Sequence, residues 1–186
     1  MKKKRLIIVG SGGFISSAVE KKIKKKMNIL SVQRKEIDLS KFSSIKKLSK
    51  KIKKNDTVFF VAAKAPCKNQ KDFEYNLKIV FNFCKALSSN KNTNKIFYLS
   101  SDAVYSDTSK KITENTNTHP LNFHGLMHLS REIVLKINFP KKVSVFRPTL
   151  VYGPNDPHNG YGPNKFKRKI LEKKEIELFG KGEEIR

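Results

Sequence analysis

The chain has 186 residues, enough for one ordinary domain with a sizeable core. It contains no run of eighteen apolar residues, which argues against a membrane-spanning helix, and its two cysteines, Cys67 and Cys84, form no metal-type cluster. The formal net charge of +24 raises the question of an anionic partner, yet only six of the 40 basic residues are arginine, while Asn and Ile are abundant and Ala is scarce. A lysine excess of this kind follows A/T-rich codon usage. Dedicated nucleic-acid binders favour arginine forks, so nucleic acid is not the expected partner. The basic residues 2–5 precede only four apolar residues, too few for the apolar stretch of a signal peptide, and the expected location is cytoplasmic.

In chain order, short apolar runs recur: RLIIVG, NILSVQ, DTVFFVAA, NKIFYLSS and KVSVFRP. Each predicts a strand buried on both faces of a parallel sheet. Helical patterns lie between them. Residues 14–26 carry Ile15, Val19 and Ile23; residues 43–53 carry Ile45, Leu48 and Ile52. Residues 73–87 carry Leu77, Val80, Phe81 and Cys84; residues 126–137 carry Leu129, Ile133, Val134 and Ile137. Lysine runs such as KKIKKK keep the same spacing and predict solvated helix faces. Strand alternating with helix predicts an α/β doubly wound parallel sheet, the Rossmann fold. The segments KNTN, SDTSKKITENTNTHP and GPNDPHNGYGPN predict loops.

The first strand runs into GSGGFISS. Gly10 turns the chain, Gly12 and Gly13 let backbone approach a pyrophosphate, and the helix opening at Phe14 and Ile15 aims its amides at that charge. The third small position is Ser16 in place of glycine; serine still allows close helix–strand packing. The second strand ends VQRKE, with Gln33, Arg34 and Glu36 where an acidic residue favours NAD and an arginine accommodates the 2′-phosphate of NADP. Arg34 leans the expectation toward NADP.

Three of the four histidines fall in HPLNFHGLMH. His124 and His128 are four apart and share a helix face, which suits a metal pair, a proton-transfer pair or two idle side chains. Against metal, no Glu follows His124, and a third ligand would have to be His119, Asp102 or a distant residue.

With these elements placed, the sequence resembles the extended short-chain dehydrogenase/reductase family, in its NAD-dependent epimerase/dehydratase grouping acting on nucleotide sugars. VGSGGFIS, EIDLSK, FFVAAKA, DFEYNLKIVFNFCKAL, YLSSDAVYSD and FRPTLVYGPND resemble that family's segments in the same order. The resemblance implies cofactor contacts from Gly10, Gly12, Gly13, Phe14, Ile15, Arg34, Asp38, Leu39, Ala62, Ala63 and Pro148. It implies a supporting Asn76 and a catalytic Ser101. The family's Tyr-x-x-x-Lys pair falls on His124 and His128. Tyrosine, with a pKa of about 10, needs a lysine neighbour to act near neutrality, whereas histidine, at about 6.5, does not. His124 would then be the acid/base, with His128 on the nicotinamide ribose or tuning His124, and no metal.

The implied organisation is an NAD(P)-binding domain over residues 1–152 and the start of a smaller substrate lobe over 153–186. Family members continue for about another hundred residues by resemblance, so a shortened chain is expected. The implied function is hydride-transfer epimerisation, dehydration or keto reduction of a nucleotide-activated sugar, in polysaccharide biosynthesis, by a homodimer formed through helices 73–87 and 126–137. The alternative is a catalytically inactive NAD(P)-binding or regulatory protein of the same fold.

Overall fold

Five apolar runs form one parallel sheet because each buries its side chains against helices that return over the sheet. The computed structural model describes residues 5–53, 55–89, 95–106, 111–154, 156–157 and 162–177. The KNTN segment and most of the final IELFGKGEEIR lie outside them. The strands are β1 (Arg5–Val9), β2 (Asn28–Val32), β3 (Thr57–Phe60), β4 (Lys95–Leu99) and β5 (Val143–Phe146). The helices are α1 (Phe14–Ile23), α2 (Ser44–Lys51), α3 (Gln70–Ser88), α4 (Phe123–Asn138) and α5 (Gly162–Leu171), with a 3₁₀ turn at Asp102–Val104.

The strand order is β2-β1-β3-β4-β5, all parallel. Val9 pairs with Val32 and Phe60, Phe60 with Tyr98, and Leu99 with Phe146. The carboxyl ends of the strands therefore lie level, and the loops after β1, β3, β4 and β5 share one edge of the sheet. In open α/β sheets that edge is where ligands bind.

Alternate side chains face opposite layers. Ile7, Val9, Val58, Phe60, Ile96 and Tyr98 pack with Leu48 of α2, Val80 and Phe83 of α3 and Leu135 of α4. Phe60 stacks on Phe83 with centroids 3.9 Å apart. On the other side Leu6, Ile8 and Phe59 meet Val19 and Ile23 of α1. Each such fully buried side chain contributes roughly 1.5–3 kcal/mol. The expectation that all five strands are buried on both faces fails at β2 and β5. They are the edge strands, and most of their residues are only partly buried or exposed.

Helix ends differ from the periodicity for a local reason. Asn69 and Asn122 cap α3 and α4, each side-chain oxygen accepting an amide hydrogen bond of 2.9 Å, from Asp72 and Gly125. Each cap adds about a turn before the first apolar position used to predict the helix. α1 stops at Ile23, and Lys24–Lys26 leave the helix. The lysines predicted to be solvated are so: Lys21, Lys22, Lys46, Lys47 and Lys50 are exposed.

The chain divides into compact units Met1–Thr149 and Leu150–Arg186. In the second, Asn164 donates to the Gly153 carbonyl (3.0 Å) and to Asp156 (2.9 Å), and Arg168 donates to the Asp156 carbonyl. Its helix α5 starts inside the segment read as a loop, with Pro163 as its second residue, near the first helical position where proline is favourable. Among the described residues no helix is long and apolar enough to cross a membrane.

Candidate active site

The loop after β1 is built around two left-handed glycines. Gly10 has φ +98°, and a Cβ there would stand 2.4 Å from the backbone nitrogen of Ala62. Only glycine lets this loop touch the loop after β3. Gly10 and Ser11 both donate to the Val32 carbonyl, at 2.9 and 3.1 Å. Gly12 has φ +93°; the nearest atoms to a hypothetical Cβ, in the Gln33 side chain, lie 3.7 Å away, an ordinary van der Waals distance. The Gly13 amide donates to Ser16 Oγ (3.0 Å), and that hydroxyl donates back to the Gly13 carbonyl (3.1 Å). The serine in the third small position is thus a fully buried clasp for the helix start.

This loop fits a dinucleotide pyrophosphate. The first turn of α1 holds no acidic residue, its amides have no intrahelical acceptor, and Phe14 and Ile15 open it. Ser11 Oγ is buried without a hydrogen-bond partner among the described residues.

Beyond β2, Arg34 is largely exposed, lies 5.4 Å from the Tyr75 ring centroid and reaches Asp38 at 3.8 Å. Asp38 Oδ1 accepts from the Ser40 amide (3.0 Å), the Ser40 hydroxyl (2.8 Å) and Tyr75 (3.4 Å). Burial alone would raise the Asp38 carboxyl, but the Ser40 bonds, Arg34 and Tyr75 hold it below the usual range. The Leu39 side chain is core, and its carbonyl accepts from Asn82 (2.8 Å), so only its backbone can face a ligand. Ala62 is partly buried against Gly10, and Ala63 is exposed.

The histidines lie on α4, which is seated on the 3₁₀ turn at Gly125. A Cβ at Gly125 would fall 1.9 Å from the Ala103 carbonyl oxygen and 2.9 Å from Pro120 Cβ. His124 Nδ1 accepts a hydrogen bond of 3.4 Å from the Cys67 amide in the loop after β3. Burial lowers its pKa from the ordinary value, and Asp102 partly offsets this. His128 is buried, and its Nδ1 lies 2.8 Å from the Tyr98 hydroxyl. Burial first, then Arg131 and His124, push His128 down to about 2. The two rings meet edge to face, with centroids 4.8 Å apart. Ser101 caps the 3₁₀ turn: its Oγ accepts from the Ala103 amide (3.2 Å) and donates to Asp102 (3.1 Å). The Pro148 carbonyl accepts from the Asp102 amide (3.1 Å). Asn76 is fully buried and clamps the loop after β3, accepting from the Lys64 amide (2.9 Å) and donating to the Lys64 carbonyl (3.0 Å).

Several supporting residues carried no signal in the sequence. Glu132, almost wholly buried, receives Ser100 Oγ at 2.5 Å and a bidentate Arg147 at 3.0 and 2.6 Å. Arg147 also donates to Tyr105 (2.6 Å), tying the end of β5 to α4 and to the 3₁₀ turn. Arg131 is fully buried. It donates to the Ala62 carbonyl (2.6 Å) and lies 4.7 and 5.2 Å from the Phe60 and Tyr98 ring centroids. Met127 is core. Among the described residues no group of three or more His, Cys, Asp or Glu is placed to hold a metal.

A parallel sheet with a glycine loop, a cradling helix and chemistry at the carboxyl edge defines a Rossmann dinucleotide-binding protein. The chain belongs to the NAD dependent epimerase/dehydratase family, whose model matches residues 6–186. It is similar in structure to UDP-N-acetylglucosamine 4-epimerase from Methanobrevibacter ruminantium M1 in complex with UDP-N-acetylmuramic acid (TM-score 0.80, 22% identity, covering 98% of this chain and 67% of that one). It is similar also to UDP-glucuronic acid 4-epimerase from Bacillus cereus in complex with NAD (TM-score 0.78, 22% identity, 96% and 66%). A third similar structure is dTDP-4-dehydrorhamnose reductase from Yersinia enterocolitica (TM-score 0.77, 19% identity, 91% and 61%). The chain thus spans 61% to 67% of the length of these structures. No curated protein matches the sequence.

Proposed function

We propose that this chain is the NAD(P)-binding part of an enzyme that epimerises, dehydrates or reduces a nucleotide-activated sugar, with Ser101, His124 and His128 in the reacting region. The observation that carries this is the cradle itself: two left-handed glycines, an orphan Ser11 hydroxyl and an acid-free helix start, level with the His124 turn at the same sheet edge. Gly10, Gly12, Gly13, Phe14 and Ile15 would hold the pyrophosphate, and Asp38, Leu39 and Arg34 the adenosine end. Ala62, Ala63 and Pro148 would flank the nicotinamide side. When bound, the cofactor supplies hydride exchange with a sugar carbon. The chain's own residues position the sugar oxygen by hydrogen bonding through His124, with Ser101 as a second hydrogen-bonding group. Residues 1–152 would form the cofactor domain and residues 153–186 the beginning of the sugar lobe.

A homodimer through α3 and α4 is part of the same proposal. Phe81, Leu126, Ile133 and Ile137 on these helices are exposed, an apolar surface that a second copy would cover. The second functional reading, a non-catalytic NAD(P)-binding protein, is favoured by one observation: His128 is buried against Tyr98 and offers no cation to a ligand. The discriminating experiment is fluorescence titration with NADH and NADPH, followed by turnover over a panel of UDP- and dTDP-sugars, including 4-keto forms. Cofactor binding with turnover supports the enzyme; binding with no turnover supports the second reading; no binding refutes both.

A further inference from the structure

The site has lost the charged pair that the family resemblance implies, and the groups in its place leave a distinct pattern of protons. Cys67 presents a backbone amide to His124 Nδ1 at 3.4 Å. An amide can only donate, so Nδ1 holds the lone pair and the neutral ring carries its proton on Nε2. Nε2 has no protein partner among the described residues. His128 Nδ1 lies 2.8 Å from the Tyr98 hydroxyl, and burial pushes that hydroxyl up to about 12, so Tyr98 keeps its proton.

We infer that His124 acts at the substrate oxygen as a neutral Nε2–H hydrogen-bond donor and not as a base, which suits the site to polarising a sugar carbonyl rather than deprotonating a sugar hydroxyl. The inference rests on the enzymatic reading above and narrows its substrate to a keto sugar. To act as a base at Nε2, His124 would need its proton on Nδ1, where two N–H groups would then face each other across 3.4 Å. The surroundings support the neutral form. His124 faces Asp102 from the 3₁₀ turn, Cys67 from the loop after β3 and His128 from its own helix. His128 faces Tyr98 from β4 and Arg131, whose guanidinium also neighbours Cys84 of α3. Asp102 is the one acid among these groups, and burial outweighs it at His124. Glu132 is engaged by Arg147 and Ser100.

In the reduction, the carbonyl carbon takes a hydride from a reduced nicotinamide dinucleotide and forms a C–H bond. The carbonyl π pair moves onto oxygen, the Nε2–H of His124 holds the charge that develops there, and water supplies the proton that completes the alcohol. His124 begins and ends neutral. A neutral histidine used as an electrophile is an established device for polarising carbonyls, and one such donor is worth ~100-fold or more in rate.

The test reads ring nitrogens in the ligand-free protein. With four histidines in the chain, long-range ¹H–¹⁵N correlation resolves each ring, and His119→Gln and His128→Gln assist assignment. The expected result is a protonated Nε2 and a bare Nδ1 on neutral His124, with a midpoint below the ordinary histidine value of about 6.5. A proton on Nδ1, or a His124 midpoint at or above about 6.5, would overturn the inference. Cofactor titration of the same sample tests the underlying reading separately, since failure to bind NAD(P)H leaves the nitrogen spectra interpretable. With a keto sugar nucleotide and NADPH, His124→Gln, which keeps an N–H donor, should retain activity within about tenfold. His124→Ala should lose ~100-fold, and equal losses in the two variants would also overturn it.

Discussion

Replacing Gly125 with alanine tests how α4 is seated. The new Cβ would lie 1.9 Å from the Ala103 carbonyl oxygen, 2.8 Å from its carbon and 2.9 Å from Pro120 Cβ. The first two are backbone atoms of the 3₁₀ turn and cannot rotate away. Forcing a methyl into a packed contact costs about 1–3 kcal/mol, and contact with backbone puts this site at the upper end. Alanine's helix propensity returns about 1 kcal/mol. The net loss is then about 2 kcal/mol, and for a chain of this size a Tm lower by about 4–8 °C. Gly13→Ala is the control. Its φ is −84°, and only Ser16 Oγ, at 3.7 Å, lies near the added Cβ, so its Tm should change little. Thermal melts followed by circular dichroism at 222 nm give both values. A Gly125→Ala variant as stable as the parent would refute the seating of α4 on the turn, and with it the placement of His124.

Glu132→Ala should destabilise by about 3 kcal/mol, because it removes the buried carboxylate that a partly buried Arg147 and the Ser100 hydroxyl share; urea unfolding measures it, and a loss under about 1 kcal/mol would contradict this clamp. Both site histidines are held below their ordinary value, so the unfolded chain binds protons that the folded one refuses. Their contribution is complete above about pH 6.5 and is lost as pH falls toward the folded value, for His128 about 2. By pH 5 this amounts to about 2 kcal/mol for His128 alone. Urea midpoints at pH 7 and pH 5 should therefore separate further in the parent than in His128→Gln; an equal separation in the two would count against a neutral His128. Arg34→Ala should weaken NADPH binding several-fold more than NADH binding, and a preference for NADH in the parent would remove Arg34 as a phosphate ligand. Ile133→Lys, at an exposed position, should convert a dimer to a monomer in sedimentation without lowering Tm; a parent that sediments as a monomer would refute the α3–α4 interface.

The buried strands β1, β3 and β4, the cradle glycines and the order of elements are legible in the sequence. They depend on local rules: continuous apolar runs make buried strands, and a glycine cluster between a strand and a helix makes a phosphate loop. Family membership follows from the same order and is matched over residues 6–186. The starts of α3 and α4 were missed by about a turn because the asparagine caps precede the first apolar position. The edge character of β2 and β5 was missed because an apolar run does not state its place in a sheet.

The histidine pair shows where local reading stops. Spacing of four put His124 and His128 on one face and left metal, proton transfer and idleness open. Which nitrogen carries a proton depends on Cys67, 57 residues away, and on Tyr98, 30 residues away. The buried cation Arg131 and the Glu132–Arg147 clamp are likewise invisible in a one-dimensional pattern, since their partners come from other elements. By itself the sequence determined the chain's layers and its glycine loop, because those arise between near neighbours. Only the tertiary structure decided the electrostatic state of the site, because burial and hydrogen-bond partners are set by what other strands and loops bring against each ring.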